Sequence, residues 1–192
     1  MDRVRDSRAA LVHTMASLLR DQGFAATSRA QLLSESGVSN GSLYHHFPGG
    51  MQEVAEAALE ASGRAVADIL ATLLDHAPST AVGVSQFLDV AAGPEGEACR
   101  GCPVAPTALE SPALSPRLRS AASQCFRTWE DLISARLERD GWPNDEGRPA
   151  ASATLALVEG SLLLARVSGR GDHLAHAKAA VRRLLPSRTP TA

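Results

Sequence analysis

Aromatic residues make up only 4% of the 192-residue chain (four Phe, two Trp, one Tyr), and isoleucine occurs twice. Valine adds 12 β-branched positions against 34 Ala and 24 Leu. Straight-chain helix formers therefore dominate, which argues against a β-sandwich or barrel and for an all-α protein. Lysine is nearly missing: Lys178 stands alone beside 18 Arg, which together with the alanine excess reflects GC-biased coding rather than function. Three cysteines, an odd number in a chain this long, cannot form a disulfide framework, so a reducing compartment is expected. No uninterrupted apolar run reaches 18 residues, and the charged start Met1 to Arg8 lacks a following apolar core and cleavage site. Neither a membrane span nor a signal peptide is expected, and the location expected is cytoplasmic. A net charge of −2 excludes a histone-like or single-strand-coating protein but leaves room for a local basic face.

With 44% apolar residues, the chain can build one sizeable core or join a small module to a larger one. Leu11, Val12, Met15, Leu18 and Leu19 recur at helical spacing, so Arg3 to Gln22 reads as an amphipathic helix stopped by Gly23. Thr27 or Ser28 caps a short helix that carries Leu32 and Leu33 and ends at Gly37. The step Gly37-Val38-Ser39 leads into a second short helix, Asn40 to Phe47, closed by Pro48-Gly49-Gly50. Two short helices about a glycine turn make a helix-turn-helix. Further helices are expected over Met51 to His76, Ser79 to Ala92, Val104 to Glu110, Pro116 to about Asp140, Asp145 to Val167, and Asp172 to Leu185. Gly93 to Pro103 reads as the longest loop, and the tail after Leu185 as frayed.

Val38, Leu43 and Phe47 are spaced to pin the second short helix inward, which turns Ser39, Asn40, Ser42, Tyr44 and His45 outward. A helix N-terminus offers free amides to phosphate, Gly41 allows close backbone approach, and short polar side chains can reach base edges. The order Gly23-Phe24-Ala25-Ala26-Thr27-Ser28, Leu32-Leu33, and Gly37-Val38-Ser39-Asn40-Gly41-Ser42-Leu43-Tyr44-His45-His46-Phe47-Pro48 closely resembles the TetR (TetR/AcrR) family of one-component bacterial repressors, over about Arg3 to Ala58. The resemblance implies phosphate contact by Thr27, Tyr44 and His45, base reading by Asn40 and Ser42, and a structural His46. Ser28, Arg29, Ser39 and Gly41 complete the expected DNA-binding set. Two positions depart from the family. Gly50 and Met51 stand where a phosphate-clamping Lys is usual, and Asn40 stands where Lys is frequent. Residues 1–50 carry five Arg and four acids, a net of only +1, so binding is expected to lean on Arg29, the N-terminal arm and amide dipoles.

Cys102-Pro103-Val104-Ala105 together with Glu159-Gly160-Ser161-Leu162-Leu163-Leu164-Ala165-Arg166 resembles the branch of lincomycin-resistance and flavonoid-responsive repressors, which implies a planar or amphipathic apolar inducer. Phe87, Phe126, Trp129 and Ile133 are placed to wall a cavity between helices, although each also reads as ordinary core. Glu159 interrupts an apolar helix, and a buried carboxylate there needs Arg166, Arg127, or a donor on a ligand. Between Ala150 and Val167 nearly every position is apolar or small, so this helix needs cover on all sides. A twin subunit would supply it, with Leu155, Val158, Leu162, Leu163, Arg166, Val181 and Leu184 at the dimer interface. A central helix of a monomer would supply it too.

The expectation is thus an all-α chain with a three-helix DNA-binding domain over residues 1–50 that contains the helix-turn-helix. A larger helical ligand-binding and dimerisation domain follows over residues 51–192. The partners are a second copy, double-stranded operator DNA and a small-molecule inducer, with no membrane. The long helix Met51 to His76 would be the lever between the two regions. No nucleotide loop, nucleophile elbow or zinc-protease motif occurs, so no catalytic residue, metal ligand or cofactor is expected. The alternative is a helical small-molecule-binding or redox-sensing bundle with weak or vestigial DNA binding. Cys99-Arg100-Gly101-Cys102 has the spacing of a metal or redox pair, with Cys125 as a third sulfur.

Overall fold

Ser28, Ser39 and Ser79 each precede a helix, and each hydroxyl accepts from a free first-turn amide, of Gln31 (3.1 Å), Ser42 (3.2 Å) and Val82 (3.4 Å). These caps set where the helices begin. The structure is a computed structural model that describes residues 2–94 and 99–186, with side chains described except at 2–6 and 111–114. The elements in order are α1 (Asp2–Gln22), α2 (Arg29–Ser36), α3 (Asn40–His46), α4 (Met51–His76), α5 (Thr80–Ala92), α6 (Ala105–Leu114), α7 (Pro116–Arg139), α8 (Asn144–Ser168) and α9 (Asp172–Leu184). No strand occurs among the described residues. Ends differ from the sequence expectation by one or two residues, except at α6, which runs on to Leu114. The tail beyond Pro186 and residues 95–98 of the long loop lie outside the described residues.

By compactness the chain divides into Met1–Arg64 with Pro103–Cys125, and Ala65–Cys102 with Phe126–Ala192. This grouping differs from the functional boundary expected after residue 50, because the first turns of α4, all of α6 and the start of α7 go with the short helices. In this first unit α1 packs on α2, α3 and α6. Its core is Leu11, Met15, Leu19, Leu32, Leu43, Phe47, Leu59 and Leu118, each essentially without exposed surface. From α6, the Glu110 carboxylate accepts from the backbone amides of Phe24 (2.8 Å) and Ala25 (3.0 Å). It lies directly over Gly23, where the backbone has φ +79° and where any Cβ would collide with the carboxylate. Gly23 is therefore favoured by its left-handed backbone, and a side chain there would also push the Glu110 carboxylate off the Phe24 and Ala25 amides.

In the second unit α5, α8 and α9 pack together. Its α4–α5 corner is tied by one buried cation. Arg136 donates from Nη1 to Leu74 O (2.6 Å) and from Nη2 to Ala77 O (3.2 Å), and pairs with Asp140 at 2.9 Å. Asp140 Oδ2 in turn accepts from the amide and the hydroxyl of Thr80, both at 2.7 Å. A last-turn carbonyl of α4, the carbonyl of Ala77 just beyond it and the first amide of α5 are thereby satisfied by one ion pair.

α8 buries Gly147, Ala150, Ala151, Thr154, Val158, Ser161, Leu162 and Ala165, a stripe at three- and four-residue spacing. By length and hydropathy alone α8 would also span a bilayer, which a search for an unbroken apolar run does not register. Its opposite side exposes Leu163 (54%), Leu164 (53%) and Val167 (78%). Within the single chain the expected dimer residues differ in exposure. Val158, Leu162 and Val181 are consumed inside this unit, and Arg166 is held by the carbonyl of Arg100 at 3.1 Å. Leu155 and Leu184 are half-buried, so among the expected set only Leu163 presents a largely open apolar side chain.

Candidate nucleic-acid interface and apolar cavity

α3 is seven residues long and is fixed by what it buries: Leu43 on the helix, Val38 before it and Phe47 after it. The turn from α2 uses Gly37 at φ +66°, which lets the chain reverse within three residues. With that face anchored, Ser39, Asn40, Gly41, Tyr44 and His45 are exposed, while Ser42 and His46 are half-buried. Ser28 and Arg29 are exposed at the start of α2. Arg29 Nη1 donates to the Tyr44 hydroxyl at 3.0 Å, which brings two of the expected DNA-binding residues together across α2 and α3.

Thr27 departs from its expected role. It is only 8% exposed, and its hydroxyl donates to Gly23 O at 2.6 Å, so it shapes the α1–α2 turn instead of facing outward. Gly50 has φ +66°, and a Cβ there would stand 3.4 Å from the Tyr44 ring. The position where the family usually carries cationic charge is instead the seat of Tyr44. One feature went unread in the sequence: Arg8 on α1 lies with its guanidinium 5.1 Å from the centre of the Phe47 ring. That places an exposed cation at the C-terminal end of α3, through a stacking contact that spacing along one helix cannot reveal.

The second unit holds a narrow, partly open cleft lined by Val66, Leu70, Val84, Phe87, Trp129, Ile133, Leu155, Val158 and Glu159; its roughly 290 Å³ of empty space includes open solvent at the mouth, and the enclosed part has room for about one water. Four of the five expected ligand residues meet here. Phe126 is not among them. It packs edge-on against Trp129 with ring centres 5.3 Å apart and so supports the wall from behind. Glu159 accepts a hydrogen bond from the Cys102 thiol, and burial pushes its carboxyl up to about 7, an effect the thiol partly offsets.

No cluster of three or more His, Cys, Asp or Glu suited to a metal occurs among the described residues. Cys99 Sγ lies 3.7 Å from Ala91 O, Cys102 engages Glu159, and Cys125 belongs to the other unit, where it meets Leu59 O at 3.6 Å. Burial raises the Cys125 thiol above its usual range, and the charge of Glu60 adds to this.

Residues 11–58 match the family model described as "Bacterial regulatory proteins, tetR family", and residues 81–180 match "Transcriptional regulator LmrA/YxaF-like, C-terminal domain". The chain belongs to the TetR family. It is a TetR-type transcriptional regulator with a DNA-binding helix-turn-helix, and members of this family are regulators and not enzymes. It is 30% identical over 161 residues to the HTH-type transcriptional regulator YxaF of Bacillus subtilis (strain 168), covering 83% of this chain and 84% of that one. It is 28% identical over 182 residues to the HTH-type transcriptional regulator LmrA of the same organism, covering 94% and 97%. Among solved structures, a TetR transcriptional regulator from Chloroflexus aurantiacus J-10-FL superposes with a TM-score of 0.80 at 25% identity, over the full length of both chains. TetR-family regulators bind operator DNA, dimerise and commonly respond to small molecules, which gives the helix-turn-helix and the cavity a shared context.

Proposed function

We propose that this TetR-family protein is a cytoplasmic, homodimeric repressor that grips a palindromic operator and is released by an apolar or aromatic inducer. The observation that carries the reading is the division of α3 into a buried face, Leu43 and Phe47, and an outward face of Asn40, Gly41, Tyr44 and His45. Two such helices, one per protomer, would enter successive major grooves about 34 to 36 Å apart. Asn40 and Ser42 would read base edges, while Tyr44, His45, Arg29 and the amides of α3 would hold phosphates. Arg8 joins that cationic set. The second copy would dock on the outer side of α8, where Leu163, Leu164 and Val167 form the exposed apolar strip.

The inducer would occupy the cavity walled by Phe87, Trp129 and Ile133, with Phe126 as backing. It need only favour the form that does not fit the operator. A coupling of about 1 to 3 kcal/mol changes operator affinity roughly 5- to 150-fold. α4, which carries residues of both units along one helix, is the covalent route for that coupling. The test is an electrophoretic shift on the intergenic DNA beside the gene, run from low to high salt. The reading requires salt-dependent, sequence-selective binding. A Tyr44→Ala variant that binds as tightly as the parent, or binding without sequence preference, would remove its basis.

A further inference from the structure

Nine residues line the cavity of the second unit, and eight of them are apolar. The remaining one is an acid. From α4 come Val66 and Leu70, from α5 Val84 and Phe87, from α7 Trp129 and Ile133, and from α8 Leu155, Val158 and Glu159. None but Glu159 titrates, and no cation lines the wall. The titratable group that meets Glu159 from outside this set is the Cys102 thiol, which leads into α6. Arg166, two turns along the same helix, is directed to the carbonyl of Arg100. An ionised carboxylate offers about four acceptor positions, and a thiol is a weak donor that fills one of them.

Resting on the reading of this cavity as the inducer site, we infer that its ligand is an aryl or polycyclic amine whose single protonated nitrogen pairs with Glu159. A neutral hydrocarbon would dry the carboxylate without replacing its water, and an anion would add like charge in an apolar slot. A cation does the opposite, because it supplies donors to the free lone pairs and supports the ionised carboxylate. Phe87 and Trp129 are the aromatic members of the same wall, and an ammonium held over either ring face would gain a further electrostatic attraction. The half-buried Val66, Phe87 and Leu155 stand at the open side, while Leu70, Val84, Trp129, Ile133 and Val158 form the closed floor. The enclosed space holds about one water, so Val66, Phe87 and Leu155 would part to let the ring system lie on the floor, with the amine at the height of Glu159.

The experiment compares three molecules of one shape, 1-naphthylmethylamine, 1-naphthalenemethanol and 1-naphthaleneacetic acid, titrated calorimetrically into the full chain without DNA. The amine is expected to bind at least about tenfold more tightly than the alcohol at about pH 8, and the acid more weakly than both. In Glu159→Gln, a near-isosteric change, the preference for the amine should fall to within about threefold, with the alcohol little affected. Should that variant not fold, the parent chain suffices. Lowering the pH from about 8 to about 5.5 should weaken the amine at least about tenfold and leave the alcohol flat, since the amine stays charged throughout. Equal binding of amine and alcohol, preference for the acid, a preference that survives Glu159→Gln, or no binding of any of the three overturns the inference. If the preference holds but the amine leaves operator affinity unchanged, the ligand class stands and the assignment of this cavity to the inducer falls.

Discussion

Arg29 donates to the Tyr44 hydroxyl at 3.0 Å, so the first residue of α2 and the outward ring of α3 form one polar unit. Tyr44 is 43% exposed, and its ring also rests against Gly50. The hydroxyl is thus held at a fixed height above the helix surface by a cation that itself faces outward.

Removing the two members separately should give different signatures in a fluorescence anisotropy titration of operator DNA. Arg29→Ala should weaken binding to all sequences and lower the slope of log affinity against log salt by about 1. Tyr44→Phe keeps the ring and loses one hydrogen bond, about 0.5–1.5 kcal/mol, with the salt slope little changed. Identical salt slopes for the parent and Arg29→Ala would remove Arg29 from the phosphate contacts.

Gly23→Ala should destabilise the first unit although it removes no core contact. A left-handed backbone at a non-glycine residue costs about 1–2 kcal/mol, and the collision with the Glu110 carboxylate adds to it. In urea denaturation, combining Gly23→Ala with Glu110→Ala should recover the steric share and not the backbone share. The pair should therefore be less destabilised than the sum of the singles. Strict additivity would show that Glu110 does not clamp the turn.

Arg136→Met leaves the half-buried Asp140 with only its Thr80 donors and no cation, and frees the carbonyls of Leu74 and Ala77. Breaking such a pair from one side costs about 3–5 kcal/mol. Replacing both members, as Arg136→Met with Asp140→Asn, should cost less than the first change alone. Thermal melts of the three variants against the parent check the order.

Glu159 gives the chain a pH-dependent stability of definite sign. Its carboxyl titrates near 7 when folded and near 4.5 as the ordinary value, so the folded state prefers the protonated form. The stability it contributes is complete below about pH 4.5, declines as pH rises toward 7, and is gone above that. The span amounts to something on the order of 3 kcal/mol. Glu159→Gln has no such decline, so the variant should become more stable than the parent as pH rises from about 4.5 to 8. Parallel melting temperatures for both proteins over that range would show that the carboxyl is not desolvated.

Much of the DNA-facing half was legible because it obeys local rules. Ser28, Ser39 and Gly37 punctuate short helices, and Leu43 and Phe47 recur at helical spacing on a face that has only one way to turn. Glu110, in contrast, meets a turn 85 and 86 residues away, and Arg136 acts on backbone carbonyls around residues 74–77. No pattern along the chain encodes such contacts. Thr27 shows the limit of a residue-by-residue transfer, since a hydroxyl at the expected place can turn to its own backbone. α8 shows another limit. When Leu162, Leu163 and Leu164 are adjacent and alike, periodicity has no contrast to read, and only packing reveals that the first is core and the others surface. One wall of the cavity was more legible because Glu159 is the one acid in the apolar stretch Ala150 to Val167, an anomaly visible without coordinates.

The seat of Tyr44 on Gly50 has a practical consequence for anyone seeking a tighter-gripping version of this regulator. Grafting lysine at position 50 would impose a side chain on a left-handed backbone suited to glycine, with its Cβ set against the very ring that supports the hydroxyl. Extra charge is better installed at Gln52, which is solvent-facing on the opening turn of α4 and carries no such burden.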